Sequence, residues 1–426
     1  MLKPHVILIA YLFPPGPEIG AVRPYRFYKY LTRMGYPCHV ITASPQKEPS
    51  ADVTFLPDEL RELWEGTGRQ QKSFRAYQEL LVRKIAFPGH IGIMWSFAVA
   101  ARCHQLVRQN PREKFVVFST YPPLGVLPAG LMAYLRDYLP WVADFRDPLG
   151  VGLGDEFTSS NQRFWNHQLE ARVFRQASAV IANVEGAAEM WRKLYPRTAR
   201  KLHVIPNGFD PEDAPRARQI PARSQKLIVH AGGLYHGRNP NIIVESLARL
   251  RAASLPEAAA AKILLVGSID AKTGLNQPLY EQAQREGWLE LRPPVTRTES
   301  QRLMEEADAL LLVQPQSDVQ VPGKLFEYIC IGRPVLALVP RNSAVEQILQ
   351  KSAIPNLCIY ADDTPQAADQ KLTDFLRLPN SPTTPSEWFR TNFNAEEQTK
   401  QLAEIIDTVT RRPASGIARK FGREWS

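Results

Sequence analysis

The sequence predicts an α/β protein of two domains, each built around a mostly parallel sheet. Two observations carry this. Short, nearly continuous apolar runs alternate with segments of helical periodicity, as in β-α-β units whose strands are covered on both faces. The chain has 426 residues, more than one ordinary core accommodates, with 44% hydrophobic and 22% charged residues, the balance of a globular protein.

The elements follow in order. Val6–Ala10 reads as the first buried strand, Phe13–Gly20 as its loop, and Val22–Met34 as a helix closed by Gly35. Cys38–Thr42 resumes the sheet and completes a β-α-β unit. Phe115–Phe118 and Trp141–Asp144 read as strands that run into Ser119-Thr-Tyr-Pro-Pro123 and Phe145-Arg-Asp-Pro148. Ala179–Asn183 and His203–Pro206 read as the last strands of this half. A second series starts at Lys226–Ala231 and continues through helix Asn241–Leu250, strand Lys262–Gly267, helix Glu299–Glu306 and strand Ala309–Val313. Val335–Val339 is a further strand, and Ala395–Arg411 reads as a helix with Leu402, Ile405 and Ile406 on one face. Leu60–Phe97 has helical patterning and reads as an insertion. The expected division is residues 1–210, a linker at 211–225 rich in Pro, Arg and Ala, residues 226–394, and a C-terminal helix at 395–412 that crosses back to the first domain.

Composition excludes several classes. No run of eighteen apolar residues occurs, so no membrane-spanning helix is expected. Val6–Phe13 is too short for a signal peptide and ends in Pro14-Pro15, so a cytoplasmic location is expected. The four cysteines are scattered, with no CxxC pair, which argues against a disulfide framework or structural zinc. The net charge of +9 and pI near 9.3 favour an anionic partner, yet no zinc-finger spacing, RRM signature or long basic block points to nucleic acid. Arg23, Arg26, Lys29 and Arg33 recur at helical spacing, which suggests either a solvated face or a landing surface for the inner face of an anionic membrane.

The most informative stretch is Val321-Pro-Gly-Lys-Leu-Phe-Glu-Tyr-Ile-Cys-Ile-Gly-Arg-Pro-Val335 and the apolar run after it. Pro322 and Gly323 open a helix, and Gly332 and Pro334 end it. Lys324 and Glu327 stand three apart, so both can point from its first turn. A cation and free amides at a helix N-terminus hold phosphate, and a carboxylate one turn along accepts hydrogen bonds from sugar hydroxyls. Diphosphate plus ribose is half of a nucleotide sugar. The same spacing also fits an ordinary surface ion pair.

This segment resembles the donor-site helix of the GT-B glycosyltransferases, in particular their GT4-like retaining branch. That family shows two glutamates eight positions apart, then a small residue, Gly and Pro. Here Glu327 matches the second glutamate and Gly332-Arg333-Pro334 the turn, while position 319, where the first glutamate belongs, is Val. The resemblance extends to Tyr11-Leu-Phe-Pro-Pro15 with Gly20, Ala143-Asp-Phe-Arg-Asp147, Val204–Asp210 and His230–Arg238. It implies a GT-B fold: two Rossmann-like domains facing each other across a cleft, the first on the acceptor side and the second binding a nucleotide diphosphate sugar. It implies transfer of the sugar, with retention, to the hydroxyl of a glycan or lipid-linked acceptor, in a surface polysaccharide or glycolipid pathway, without a cofactor.

Particular residues take expected roles from this. Gly20, Gly233, Arg238, Lys324, Leu325 and Glu327 are the expected donor-binding set, with Glu327 on the ribose. Of the Arg and Lys that the family places after the first strand of the second domain, Gly233 replaces one and Arg238 keeps the other. Arg238 and Lys324 are expected to stabilise the leaving diphosphate without a metal. Asp147 can orient an acceptor hydroxyl or stabilise positive charge on the sugar; before Pro148 it also fits an N-cap or turn. Asp362-Asp363 is read as a solvated loop, and no metal is expected. Val319 leaves open a second reading, a non-catalytic GT-B protein that binds a nucleotide sugar or serves as a scaffold. An NAD-dependent enzyme is disfavoured because there is no GxGxxG fingerprint.

Overall fold

The structure is a computed structural model and describes residues 2–15, 19–48, 50–58, 91–150, 160–219, 223–235 and 237–411. The chain divides into two compact units, Met1–Pro206 with Ala395–Ser426, and Asn207–Asn394.

The first unit runs β1 (His5–Ile9), α1 (Val22–Arg33), β2 (Cys38–Thr42), β3 (Val53–Phe55), α2 (Trp95–Gln109), β4 (Phe115–Tyr121), α3 (Val126–Asp137), β5 (Trp141–Phe145), α4 (Ser160–Gln176), β6 (Ala179–Ala182), α5 (Glu185–Leu194) and β7 (Leu202–Val204). Its seven strands lie in the order β3-β2-β1-β4-β5-β6-β7, with every pairing parallel. The central strands β1, β4, β5 and β6 are apolar almost throughout because helices cover both faces. On one face Trp95, Phe145, Phe174 and Trp191 build a core. Trp141 is fully buried, and its indole N–H donates to Ser119 Oγ at 2.8 Å, so burial leaves no orphan donor.

The second unit continues with β8 (Lys226–Ala231), α6 (Asn241–Ala252), α7 (Pro256–Ala259), β9 (Ala261–Val266), α8 (Gln277–Arg285), β10 (Leu289–Arg292), α9 (Arg297–Glu305), β11 (Ala309–Val313), α10 (Gly323–Ile331), β12 (Val335–Leu338), α11 (Ala344–Lys351), β13 (Asn356–Ile359), α12 (Pro365–Leu376) and α13 (Glu387–Asn392). Six parallel strands lie in the order β10-β9-β8-β11-β12-β13. Helices α9, α10 and α11 pack on one face and α6, α8 and α12 on the other. Within 211–225, Ala214 and Ala217 pack on the first of these cores, and Arg218 pairs with Glu305 at 2.7 Å. The last helix, α14 (Ala395–Arg411), belongs to the first unit. Its Leu402, Ile405 and Ile406 join Phe27 and Leu31 of α1 in one cluster, and Tyr36 donates to Asp407 at 2.9 Å.

The bounds expected for β2, β8, β11 and α14 are the observed ones. Residues 59–90, most of the expected insertion, lie outside the described residues, while Trp95–Phe97 begin α2.

Candidate functional site

In an open parallel sheet, ligands bind beyond the carboxyl ends of the strands where the strand order reverses. In the second unit this point lies between β8 and β11. The two strands pair only at Ile228↔Ala309 and Val229↔Leu310, whereas β8 stays paired with β9 through Ala231↔Val266. Beyond Val229 the ladder opens, and two side chains take over its backbone groups. His230 Nδ1 lies 2.9 Å from the Leu311 carbonyl, and the Ala231 N–H donates to the Tyr328 hydroxyl at 3.1 Å. Because Nδ1 faces a carbonyl it carries the proton, which leaves Nε2 as an acceptor.

His230 is buried, and its Nε2 makes no hydrogen bond of good geometry, although the Gly232 backbone lies beside the ring. Burial holds the imidazole down to about 4; the Leu311 and Gly232 backbones oppose this, and the charges of Arg238 and Lys324 reinforce it. Both expected phosphate-binding cations therefore act electrostatically on one buried ring. Arg238 donates to the Tyr235 hydroxyl at 2.7 Å, with its guanidinium 4.4 Å from that ring's centre. Gly233 packs tightly, since a Cβ there would stand 3.0 Å from Ser268 Oγ.

Helix α10 starts at Gly323, which is exposed and has open space around it. Pro322 occupies the cap without a side-chain hydrogen bond. The helix ends at Gly332 with φ 78, a left-handed cap natural to glycine. Lys324 and Glu327 meet at 2.8 Å, both about three-quarters buried, and Lys324 also reaches Ser300 of α9 at 3.4 Å. Leu325, expected among the donor-binding residues, faces the core of the second unit. Its side chain is fully buried in the core and its N–H bonds to the Pro322 carbonyl at 3.0 Å, so it supports the helix from behind. Val319 is partly buried, and the neighbouring Asp318 is exposed.

Of the expected solvated pair, Asp362 is exposed and Asp363 is not. Asp363 accepts from Arg341 at 2.8 Å, Lys371 at 2.6 Å and the Tyr360 N–H at 2.9 Å, and its side chain is 3% exposed. Among the described residues, no group of three or more His, Cys, Asp or Glu could hold a metal ion. A cavity of about 470 Å³ lies nearby, lined by Gly237, Asn239, Glu245, Arg249, Gln316 and Asp363 among others. It opens on the α6–α12 side of the sheet, and Lys324 and Glu327 do not line it.

In the first unit the loops after β1, β4 and β5 are tied together by Arg146. It donates to the Gly20 carbonyl at 2.8 Å, to the Tyr121 carbonyl at 3.2 Å and to the Pro122 carbonyl. A Cβ on Gly20 would lie 2.7 Å from Leu12 Cδ1 and 3.2 Å from Arg146 Nη1, so a larger residue here would displace Leu12 and crowd the guanidinium. Asp147 is partly buried beside Tyr121 and Arg146. The buried Glu170 accepts the N–H groups of Leu149 and Gly150 at 2.9 Å each and fixes the chain just after it.

Arg23 does not belong to an outward basic face. It is buried, bound to Asp144, and donates to the carbonyls of Ile205 and Pro206 at 2.8 and 2.7 Å. Thr120 also donates to Asp144 at 2.8 Å. Sequence reasoning placed Asp144 and Arg146 only within the motif at the end of β5 and gave no role to them, to Tyr328 or to His230. Each offered one faint signal, a polar side chain within an otherwise apolar or aromatic segment.

Comparison with known proteins gives a family match over part of the chain and a fold match over nearly all of it. Residues 20–213 match the family described as Glycosyltransferase Family 4. No curated protein matches the sequence significantly. Among solved structures, a glycosyltransferase from Rickettsia africae is similar at 13% identity and TM-score 0.59, over 96% of this chain and 100% of that one. The catalytic domain of starch synthase IV from Arabidopsis thaliana, bound to ADP and acarbose, matches at 11% identity and TM-score 0.61, over 96% of this chain and 100% of that one. WaaG, a glycosyltransferase involved in lipopolysaccharide biosynthesis, matches at 14% identity and TM-score 0.55, over 97% of this chain and 98% of that one.

Proposed function

Since residues 20–213 are a Glycosyltransferase Family 4 match and the whole chain has the GT-B fold, we propose that the protein transfers a sugar from a nucleotide diphosphate donor to an acceptor hydroxyl. The observation that carries the donor half is the Lys324–Glu327 pair on the open first turn of α10, beside the switch point of the second sheet. Lys324, Arg238 and the first amides of α10 supply positive charge for a diphosphate, and Glu327 is placed one turn along for ribose hydroxyls.

In the reaction, the bond from the sugar's anomeric carbon to the diphosphate oxygen breaks and the acceptor oxygen takes its place. The acceptor proton passes to the departing phosphate, so no dedicated carboxylate base is needed, and configuration is retained. Asp147, held beside Arg146, is the residue of the first unit proposed to orient the acceptor or to steady charge on the sugar. Fixed cations replace a divalent metal. A surface glycan or glycolipid acceptor is supported by the similarity to WaaG. With Arg23 turned inward, Arg26, Lys29 and Arg33 are left to meet an anionic lipid surface, and no helix among the described residues is long and apolar enough to cross a membrane.

Val319 favours one rival, a GT-B protein that binds the donor without turning it over. A thermal-shift screen with nucleoside diphosphates and their sugars, followed by an assay for nucleotide release, separates the two. Stabilisation by one nucleotide series together with slow turnover supports transfer. Stabilisation with no release in the presence of varied glycan acceptors supports the rival, and no stabilisation by any nucleotide removes both.

A further inference from the structure

The parting of β8 and β11 leaves one group unexplained. His230 Nδ1 has a clear structural duty on the Leu311 carbonyl, but Nε2 is buried without a partner. Buried polar atoms are rarely left so, and an orphan at a ligand site marks a place where something binds. The ring's tip reaches the loop that follows β8, since a Cβ on Gly232 would lie 3.5 Å from Nε2. Arg238 and Lys324 both press on it electrostatically. Nε2 therefore stands at the switch point, within electrostatic reach of the cations that the proposed function assigns to the donor.

The chemistry limits the ligand atom. With its proton committed to Leu311, the ring offers only a lone pair at Nε2. A lone pair repels an unprotonated phosphate oxygen, which has Arg238 and Lys324 to go to instead. It attracts an O–H donor. We propose that His230 is a donor-binding residue whose Nε2 accepts a hydrogen bond from a hydroxyl of the bound nucleotide sugar. This rests on the donor-site reading and extends it to a residue on the sheet itself. The hydroxyl belongs either to the ribose or to the sugar being transferred, and the choice of ligand in the test separates them. A donor lacking that hydroxyl leaves Nε2 unpaired, so the residue also selects between donors.

Two substitutions divide the structural duty from the ligand duty. In H230N the amide nitrogen takes the place of Nδ1 and nothing replaces Nε2. H230Q does the reverse, with its terminal amide at the Nε2 position. Calorimetric affinities for UDP, ADP and GDP and for their glucose or mannose derivatives are compared with urea-unfolding midpoints. H230N is expected to keep the wild-type midpoint and to lose roughly tenfold in nucleotide-sugar affinity, while H230Q loses stability and keeps more of the affinity. Loss for the nucleotide sugar alone assigns the contact to the transferred sugar, and equal loss for the bare diphosphate assigns it to ribose. Unchanged affinity in H230N overturns the assignment and leaves Nε2 to a buried water. A wild type that binds no nucleotide overturns the donor-site reading and this inference together. If H230N does not fold, H230Q and H230M decide: both lack the Nδ1 contact, only one has the acceptor, and equal affinities overturn the proposal.

Discussion

Arg23 grips Asp144 through two parallel hydrogen bonds, Nε to Oδ2 at 3.0 Å and Nη2 to Oδ1 at 2.8 Å, across 121 positions of sequence. Asp144 is completely buried, and Arg23 also donates to the carbonyls of Ile205 and Pro206. The pair joins the first turn of α1, the end of β5 and the last residues of the first unit's N-terminal segment. Removing one partner strands a buried charge, which costs far more than the net worth of the pair. Asp144→Ala should therefore destabilise the protein by about 3–5 kcal/mol, and Asp144→Asn, which keeps an acceptor for Arg23, by less. Urea unfolding measures both. An Ala variant within experimental error of wild type would refute a structural role.

The same pair shows why part of the molecule was legible in the sequence and part was not. Central strands such as Ala309–Val313 are covered on both faces, so they appear as unbroken apolar runs and their bounds can be read directly. The edge strands β3, β10 and β13 are half-exposed and carry no such run, and sequence reasoning passed over them. Helix α4 was missed for a related reason: it buries Gln162, Asn166 and Glu170, so its inward face is polar and its periodicity is masked. Helical spacing placed Arg23, Arg26, Lys29 and Arg33 together, but spacing does not tell which side faces inward. Position 23 shares the buried side with Phe27, Tyr30 and Leu31. The Lys324–Glu327 pair was legible because an i, i+3 relation is local. His230 was not, because its importance depends on two strands parting 81 residues away in sequence, at Leu311.

The ion pair on α10 yields a split result. Lys324→Ala should remove a charge-assisted contact to diphosphate worth roughly 1.5–3 kcal/mol, lowering nucleoside diphosphate affinity by an order of magnitude or more. It should leave affinity for the bare nucleoside nearly unchanged. Glu327→Gln should weaken both ligands, because its carboxylate is assigned to ribose. Arg238→Ala should behave like Lys324→Ala. Isothermal calorimetry with the matched nucleoside and diphosphate distinguishes these cases, and a Lys324→Ala variant that loses both ligands equally would point to collapse of the helix N-terminus instead.

Turnover should survive an excess of chelator. Arg238, Lys324 and the α10 amides are assigned to neutralise the diphosphate, and the acidic pair that most resembles a metal site is already occupied by Arg341 and Lys371. Release of nucleotide is compared with and without chelator. Activity that chelator abolishes and magnesium or manganese restores would move the leaving-group role to a metal.

The last prediction concerns acid. His230 is held at about 4 in the folded protein against an ordinary value of 6.5, first by burial and further by Arg238 and Lys324. Its folded value is depressed, so below the ordinary value the unfolded chain takes up a proton that the native protein refuses. Stability attributable to His230 is therefore complete above pH 6.5 and falls as the pH drops from there toward 4. Glu327 and Tyr328 also face this region, Glu327 paired with Lys324 and Tyr328 capping Ala231, and neither removes the imbalance. Between about pH 7 and pH 5 this one group should cost the second unit roughly 2 kcal/mol. Urea unfolding at the two pH values is compared for wild type and H230N, because the Asn amide does not titrate. The wild type should lose more than the variant by about that amount. Equal losses would mean that the folded ring takes up a proton as readily as the unfolded chain, so that at pH 5 its Nε2 would be a donor and not the free acceptor that the donor-binding proposal requires.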